Sequence, residues 1–150
     1  MTKRLFLFFG FIVLTAGCGG GGKTAQVSGR IMMNGQPLAN ARVSFQPTSG
    51  ANKNEVGATA QGETDADGRY TLTFMGSGKK GATVGENLVS ISKLDGPTPD
   101  PKDDNPPLRR ELVAPEWNTE SKQKFTVPSG GATNADFNVT PNVPAKPKYD

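Results

Sequence analysis

The segment 64–74 reads Thr64-Asp65-Ala66-Asp67-Gly68-Arg69-Tyr70-Thr71-Leu72-Thr73-Phe74. Its second half alternates: Tyr70, Leu72 and Phe74 are separated by Thr71 and Thr73, the period-two signature of a strand with one buried face. Its first half predicts a turn, with aspartate side chains capping nearby backbone amides before the chain reverses at Gly68.

The same alternation recurs on both sides of this segment. Upstream, Val27, Ile31 and Met33 share one face, opposed by Gln26, Ser28 and Arg30, and Asn34-Gly35-Gln36-Pro37 follows as a turn. Ala41, Val43 and Phe45 make the next inward row until Pro47 ends it, 48–57 reads as a polar surface loop, and a weaker strand follows at 58–64. Downstream, a glycine-rich loop at 76–81 precedes a strand at 84–93 with Val89 and Ile91 inward and Ser90 and Ser92 outward. The segment 95–107, with its five prolines and four aspartates, can neither join a ladder nor hold a helix, so it is an exposed loop. A short strand near Leu112-Val113, one with Phe125 and Val127 inward, and one with Ala135, Phe137 and Val139 inward complete the pattern. The polar, proline-bearing 141–150 is expected to be a disordered tail. Together these predict an all-β domain over 25–140, a seven-stranded β-sandwich.

Composition agrees. Among 150 residues there are 19 glycines and 12 prolines while aromatics reach only 7%, a profile of short strands and many turns. There is one cysteine and no histidine, which removes an internal disulfide, zinc sites of the thiolate or imidazole type, and the imidazole base of most hydrolytic triads. The formal charge of +3 includes Lys3 and Arg4 near the N-terminus. Without them 15 cations face 14 acids, and no basic run is long enough to track a phosphate backbone, so no nucleic-acid partner is expected.

Residues 1–17, MTKRLFLFFGFIVLTAG, begin with two cations, continue through an apolar run from Leu5 to Leu14, and end in small residues. Ten apolar residues rise about 15 Å as a helix, roughly half a bilayer's hydrocarbon thickness, which marks a signal peptide and not a span. Leu14-Thr15-Ala16-Gly17-Cys18 resembles the lipobox of bacterial lipoproteins, with Thr15 where leucine is commoner. That resemblance implies cleavage before Cys18 and lipidation of its thiol. The competing reading, an incidental small residue at an ordinary signal-peptide end, is outweighed because the chain's one cysteine falls where the motif requires it. Two or more acyl chains hold a protein on a membrane stably. Gly19 to Gly22 would then serve as part of a flexible spacer, residues 18–24, and the absence of aspartate at position 19 favours the outer membrane by the enterobacterial sorting rule.

Val27-Ser28-Gly29-Arg30-Ile31, the run Asn34-Gly35-Gln36-Pro37-Leu38-Ala39-Asn40-Ala41-Arg42-Val43, and Thr64-Asp65-Ala66-Asp67-Gly68-Arg69-Tyr70 together resemble the carboxypeptidase regulatory-like family. The match is close over the first half of the domain and loose over the second. Pro115-Glu116-Trp117-Asn118 and Asp136-Phe137-Asn138-Val139 resemble small planctomycete lipoproteins of this type. The resemblance implies a transthyretin-like, prealbumin-type Greek-key sandwich and an accessory role without catalysis.

Several motifs resemble sites. Asp65 and Asp67 look like a fragment of a calcium loop, but the twelfth position, where a bidentate glutamate belongs, is Gly76, so a capped turn is the stronger reading. Gly76-Ser77-Gly78-Lys79-Lys80-Gly81 lacks the spacing and the helix of a phosphate loop. Glu111, Glu116 and Glu120 form no recognisable acid–base pair and read as solvated loop carboxylates. Trp117 is the one candidate ligand contact, a possible sugar platform, because Tyr70 is expected in the core. The sequence therefore predicts a non-enzymatic, lipid-anchored envelope module with no cofactor, contacting an envelope protein through exposed loops or a sheet edge. The alternative is a carbohydrate- or peptide-binding module at the membrane surface.

Overall fold

The computed structural model describes residues 23–48, 58–96 and 102–143. The leader, Cys18, residues 19–22, positions 49–57 and 97–101, and the tail from 144 lie outside the described residues. The domain is an all-β sandwich built from eleven short strands among the described residues: β1 (Thr24–Ala25), β2 (Ser28–Met33), β3 (Gln36–Pro37), β4 (Arg42–Pro47), β5 (Ala60–Glu63), β6 (Arg69–Thr71), β7 (Thr73–Phe74), β8 (Ala82–Thr83), β9 (Gly85–Ser92), β10 (Lys124–Val127) and β11 (Phe137–Val139).

One sheet runs β10-β9-β4-β5-β7, antiparallel throughout. The other is organised on β2, with β3 and β6 antiparallel along one edge and β11 parallel along the opposite edge. A two-residue ladder between β1 and β8 is a third, small sheet.

Alternation predicts seven strands, whereas the described residues hold eleven shorter ones: β3 and β8 form within the expected turn 34–37 and ahead of the expected strand 84–93, and the chain changes sheets mid-strand. The clearest case is 69–74. Its first three residues ladder onto β2, and after Leu72 it ladders onto β5 instead. At the corner, the Leu72 amide donates to the Val27 carbonyl and its own carbonyl accepts from Gly81. Alternation survives the bend: Tyr70, Leu72 and Phe74 are all buried. Strands that pass between sheets in this way form the corners of a sandwich. The expected strand near Leu112-Val113 is reduced to single bridges, Leu94 to Glu111 and Val113 to Pro141. Order runs past Thr140, where Asn142 donates its amide to Leu112 and its side chain to the Glu111 carbonyl.

The core lies between the two main sheets. Ala41, just before β4, and Val43 and Phe45 within it are fully buried, as are Val89 and Ile91 of β9, facing Val27 and Ile31 from the second sheet's side. Phe45 on β4, Phe125 on β10 and Phe137 on β11 meet edge to face, with centroids 5.6 to 6.3 Å apart, so the aromatic cluster ties one sheet to the other. Each such pair adds about 0.5–1.5 kcal/mol beyond its buried area. Asn87, between Gly85 and Val89 on β9, is also fully buried, its amide nitrogen donating to the carbonyls of Thr83 and Gly85.

Two turns set the register. Asn34 and Gly35 both take positive φ, joining β2 to β3 by a two-residue hairpin loop. At 65–69, the Asp65 Oδ1 accepts from the amides of Asp67 and Arg69, which is the side-chain cap expected from sequence. Gly68 closes this turn at φ 73°, and a Cβ there would lie 2.5 Å from the Ile31 carbonyl oxygen, so only glycine fits. Thr64, buried just before it, accepts from the Ala41 amide and donates to the Leu38 carbonyl, fixing the turn to the start of β4.

Tyr70 reaches across to the lead-in of β11, where its hydroxyl donates to the Ala135 carbonyl at 2.6 Å. Burial, reinforced by the charge of Asp136, pushes the phenol well above its ordinary value of about 10. The sign follows: above pH 10 the unfolded chain loses this proton while the folded chain keeps it. The tyrosine's contribution is complete below pH 10 and declines as pH rises beyond it. The melting temperature is expected to fall more steeply between pH 9 and pH 11 (roughly the span around that pKa) than it does for Tyr70→Phe. Parallel slopes would show that the phenol is not protected.

Candidate functional site

The proline-rich excursion between β9 and β10 cannot pair with either sheet, so its placement depends on how its two ends are joined. Four backbone and side-chain links close them. Leu112 donates its amide to the Lys93 carbonyl, and Asp95 donates its amide to Arg110. Asp95 Oδ1 accepts from the Arg110 amide at 2.7 Å, and the Arg110 guanidinium lies 3.7 Å from the other carboxylate oxygen. Arg109 then donates to three successive carbonyls: through Nε to Asp95 at 2.8 Å and through Nη2 to Leu94 and Gly96 at 3.3 and 3.1 Å. A planar guanidinium with a fixed fork of donors suits such a clamp, whereas a lysine could not span three acceptors in this geometry.

Glu111 completes the neck from below. Its Oε1 accepts from the amides of Lys93 and Val113 at 2.8 and 3.0 Å, and its Oε2 accepts from the Ser92 hydroxyl. This carboxylate is thus a structural cap, where the sequence suggested a solvated loop group. Beyond the neck, residues 102–107 are exposed, and Leu108, immediately before the clamping arginine, is exposed over its whole side chain.

Trp117 sits in a 3₁₀ turn, Pro115–Trp117, with Pro115 at its first position. Its ring packs edge to face on Phe137 at 6.2 Å, and its indole nitrogen donates to the Thr140 hydroxyl. Thr140 in turn donates to Glu116. That hydrogen bond holds the Glu116 carboxyl below its ordinary value. The indole therefore covers the aromatic core at Phe137 of β11 and is itself only partly buried. Glu120 lies exposed nearby, and its amide donates to the Pro115 carbonyl.

The structure brings Asp65 and Asp67 into one turn, but the Asp65 carboxylate is occupied by backbone amides and Asp67 contributes its carbonyl to Arg30. No group of three or more metal-ligating side chains occurs among the described residues. The loop 76–81 is a hairpin, with Phe74 donating to Lys79 and Thr73 bridging to Lys80. Sequence reasoning missed the Arg109 clamp. Its signal was there: an aspartate directly before the proline segment and an arginine pair directly after it.

No protein-family model and no curated protein matches the chain. Among solved structures the chain is similar to a 9R-lipoxygenase from Cyanothece PCC8801, at TM-score 0.39 and 14% identity, covering 85% of this chain and 17% of that one. A likeness of that size carries no chemistry across.

Proposed function

We propose that the protein is a non-enzymatic module of the bacterial envelope, tethered through lipidated Cys18, that docks on an envelope protein through the loop ending at Leu108. The observation that supports this reading is the pairing of a wholly exposed leucine with a rigidly clamped loop neck. An exposed apolar side chain on a mobile loop loses conformational freedom when it binds, which weakens association; one held at its base loses less. Prolines at 106 and 107 restrict the backbone further and leave no ladder to compete with a partner.

The non-catalytic part of the reading rests on what the carboxylates do. Glu111 and Asp65 are both bonded to backbone amides, and Glu116 is held by Thr140. The resemblance to the carboxypeptidase regulatory-like family, an accessory class, points the same way.

The test is affinity isolation of the full chain from native membranes beside a Leu108→Asp variant. The partner is expected to co-isolate with the parent and to drop by at least about tenfold with the variant, the order expected for an apolar anchor at the centre of an interface. Both chains should melt at the same temperature, because Leu108 touches nothing in the core. Equal recovery from parent and variant would refute the docking role of the loop.

A further inference from the structure

Beneath the clamped neck the end of the five-stranded sheet opens into a cleft of about 560 Å³, lined by Asn40, Arg42, Glu63, Ser92, Lys93 and Arg109 among others. Its volume falls within the range of small-molecule sites, roughly 300–1,000 Å³. We propose that this cleft receives an acidic sugar unit, its carboxylate or sulfate beside Arg42 and its hydroxyls toward Glu63 and Asn40.

Charge carries the first step. Three cations, Arg42, Lys93 and Arg109, line the cleft against two carboxylates, Glu63 and Asp95, and Asp95 is already matched by Arg110. Lys93 uses its ammonium on the Ala39 carbonyl, and Arg109 uses its Nε and Nη2 on the loop neck, so both are held in place by the fold. Arg42 is different. It stands on β4 directly opposite Glu63 on β5 and Ser92 on β9, yet the ion pairs among the described residues are Arg110–Asp95 and Lys124–Glu86 alone. An exposed guanidinium and an exposed carboxylate on adjacent strands, not closed on each other, present a donor fork and an acceptor side by side. A guanidinium recognises carboxylate or sulfate through two parallel hydrogen bonds, and a neighbouring carboxylate accepts from hydroxyls.

Strand pairing favours a sugar over an extended peptide. β4, which carries Arg42, is laddered to β5 on one edge and to β9 on the other. At Arg42, therefore, no backbone edge is free for a peptide to join as an added strand. The proposal is independent of the docking reading, since Arg42 and Leu108 belong to different elements and are altered separately.

The test is calorimetric titration of the full chain in detergent with oligogalacturonate, a neutral oligogalactan and polyglutamate. Oligogalacturonate is expected to bind, to weaken as salt is raised, and to bind Arg42→Ser at least about tenfold more weakly, the loss expected for one charge-assisted pair. Lys79→Ser, on the hairpin at the opposite end of β5, should bind like the parent, and an unchanged melting temperature for Arg42→Ser would place the loss in the cleft. Absence of binding, equal affinity for the neutral glycan, equal or tighter binding of polyglutamate, or an Arg42→Ser variant that binds as the parent would each overturn the proposal.

Discussion

A Leu72→Asp chain is expected to be unfolded at every temperature, with a far-ultraviolet circular dichroism spectrum of disordered chain and no melting transition. Leu72 has no exposed surface and sits at the corner where the chain passes from the β2 sheet to the β5 sheet. Removing a buried leucine alone costs about 2–5 kcal/mol. Placing a carboxylate in the same space costs several kcal/mol more, because no cation of the core stands near enough to pair with it and the group must take up a proton or water must enter. The sum is comparable with the whole stability of a domain of this size, about 5–15 kcal/mol. A soluble Leu72→Asp protein that melts cooperatively would show that this residue is not where the two sheets join.

Gly29 should be almost as sensitive, for a steric reason. A Cβ at this position would stand 2.1 Å from the Ala135 carbonyl oxygen and 2.5 Å from its carbon. Those atoms are backbone, held by the hydrogen bond from the Ala135 amide to Ser28 and by the Tyr70 hydroxyl, so no rotamer change relieves the contact. Gly29→Ala must push the lead-in of β11 away from β2, at a cost of about 3 kcal/mol or more, the upper end for overpacking. Gly29→Val is expected to prevent β11 from docking. Trp117 packs on Phe137 of β11 and is the chain's single tryptophan, so its fluorescence reports the event. Urea denaturation should show the Gly29→Ala midpoint well below the parent's. A shift smaller than about 1 kcal/mol, beneath the usual overpacking range, would contradict the close approach.

The inward rows were legible in the sequence because a strand with one buried face must alternate, and Ala41, Val43, Phe45, Tyr70, Leu72, Val89 and Ile91 all lie where alternation put them. The turn at Asp65 was legible because its cap is local. Which strand pairs with which was not. The parallel register of Phe137 with Ile31 joins residues more than a hundred positions apart, and the break at Leu72 leaves the alternation intact while changing the hydrogen-bond partner. Period two records which face a side chain takes and carries nothing about the neighbour along the edge.

The same distinction separates the parts of the candidate site. The loop 95–107 was recognisable as an excursion from its prolines, but the Arg109 clamp depends on where the two ends of the excursion meet, which the sheet determines. Glu111 read as a solvated carboxylate for the same reason: its partners, Ser92 and Lys93, come from the far side of the loop. Asn87, a polar residue in an inward row, looks like a defect in the alternation; in the fold its amide nitrogen donates to the Thr83 and Gly85 carbonyls, while its buried Oδ1 has no hydrogen-bond partner among the described residues. Trp117, singled out for its ring, is engaged with Phe137 and Thr140, and the exposed apolar groups at the loop neck are Leu94 and, over its whole side chain, Leu108.

The claim that most needs a direct measurement is that a clamped loop presents Leu108 to an envelope partner. A photo-reactive amino acid placed at position 108, and separately at exposed Met75 on the glycine hairpin, can be activated in intact cells and the adducts identified by mass spectrometry. Position 108 is expected to give one dominant protein adduct that position 75 does not. No adduct from position 108, or the same set of adducts from both positions, would contradict the account.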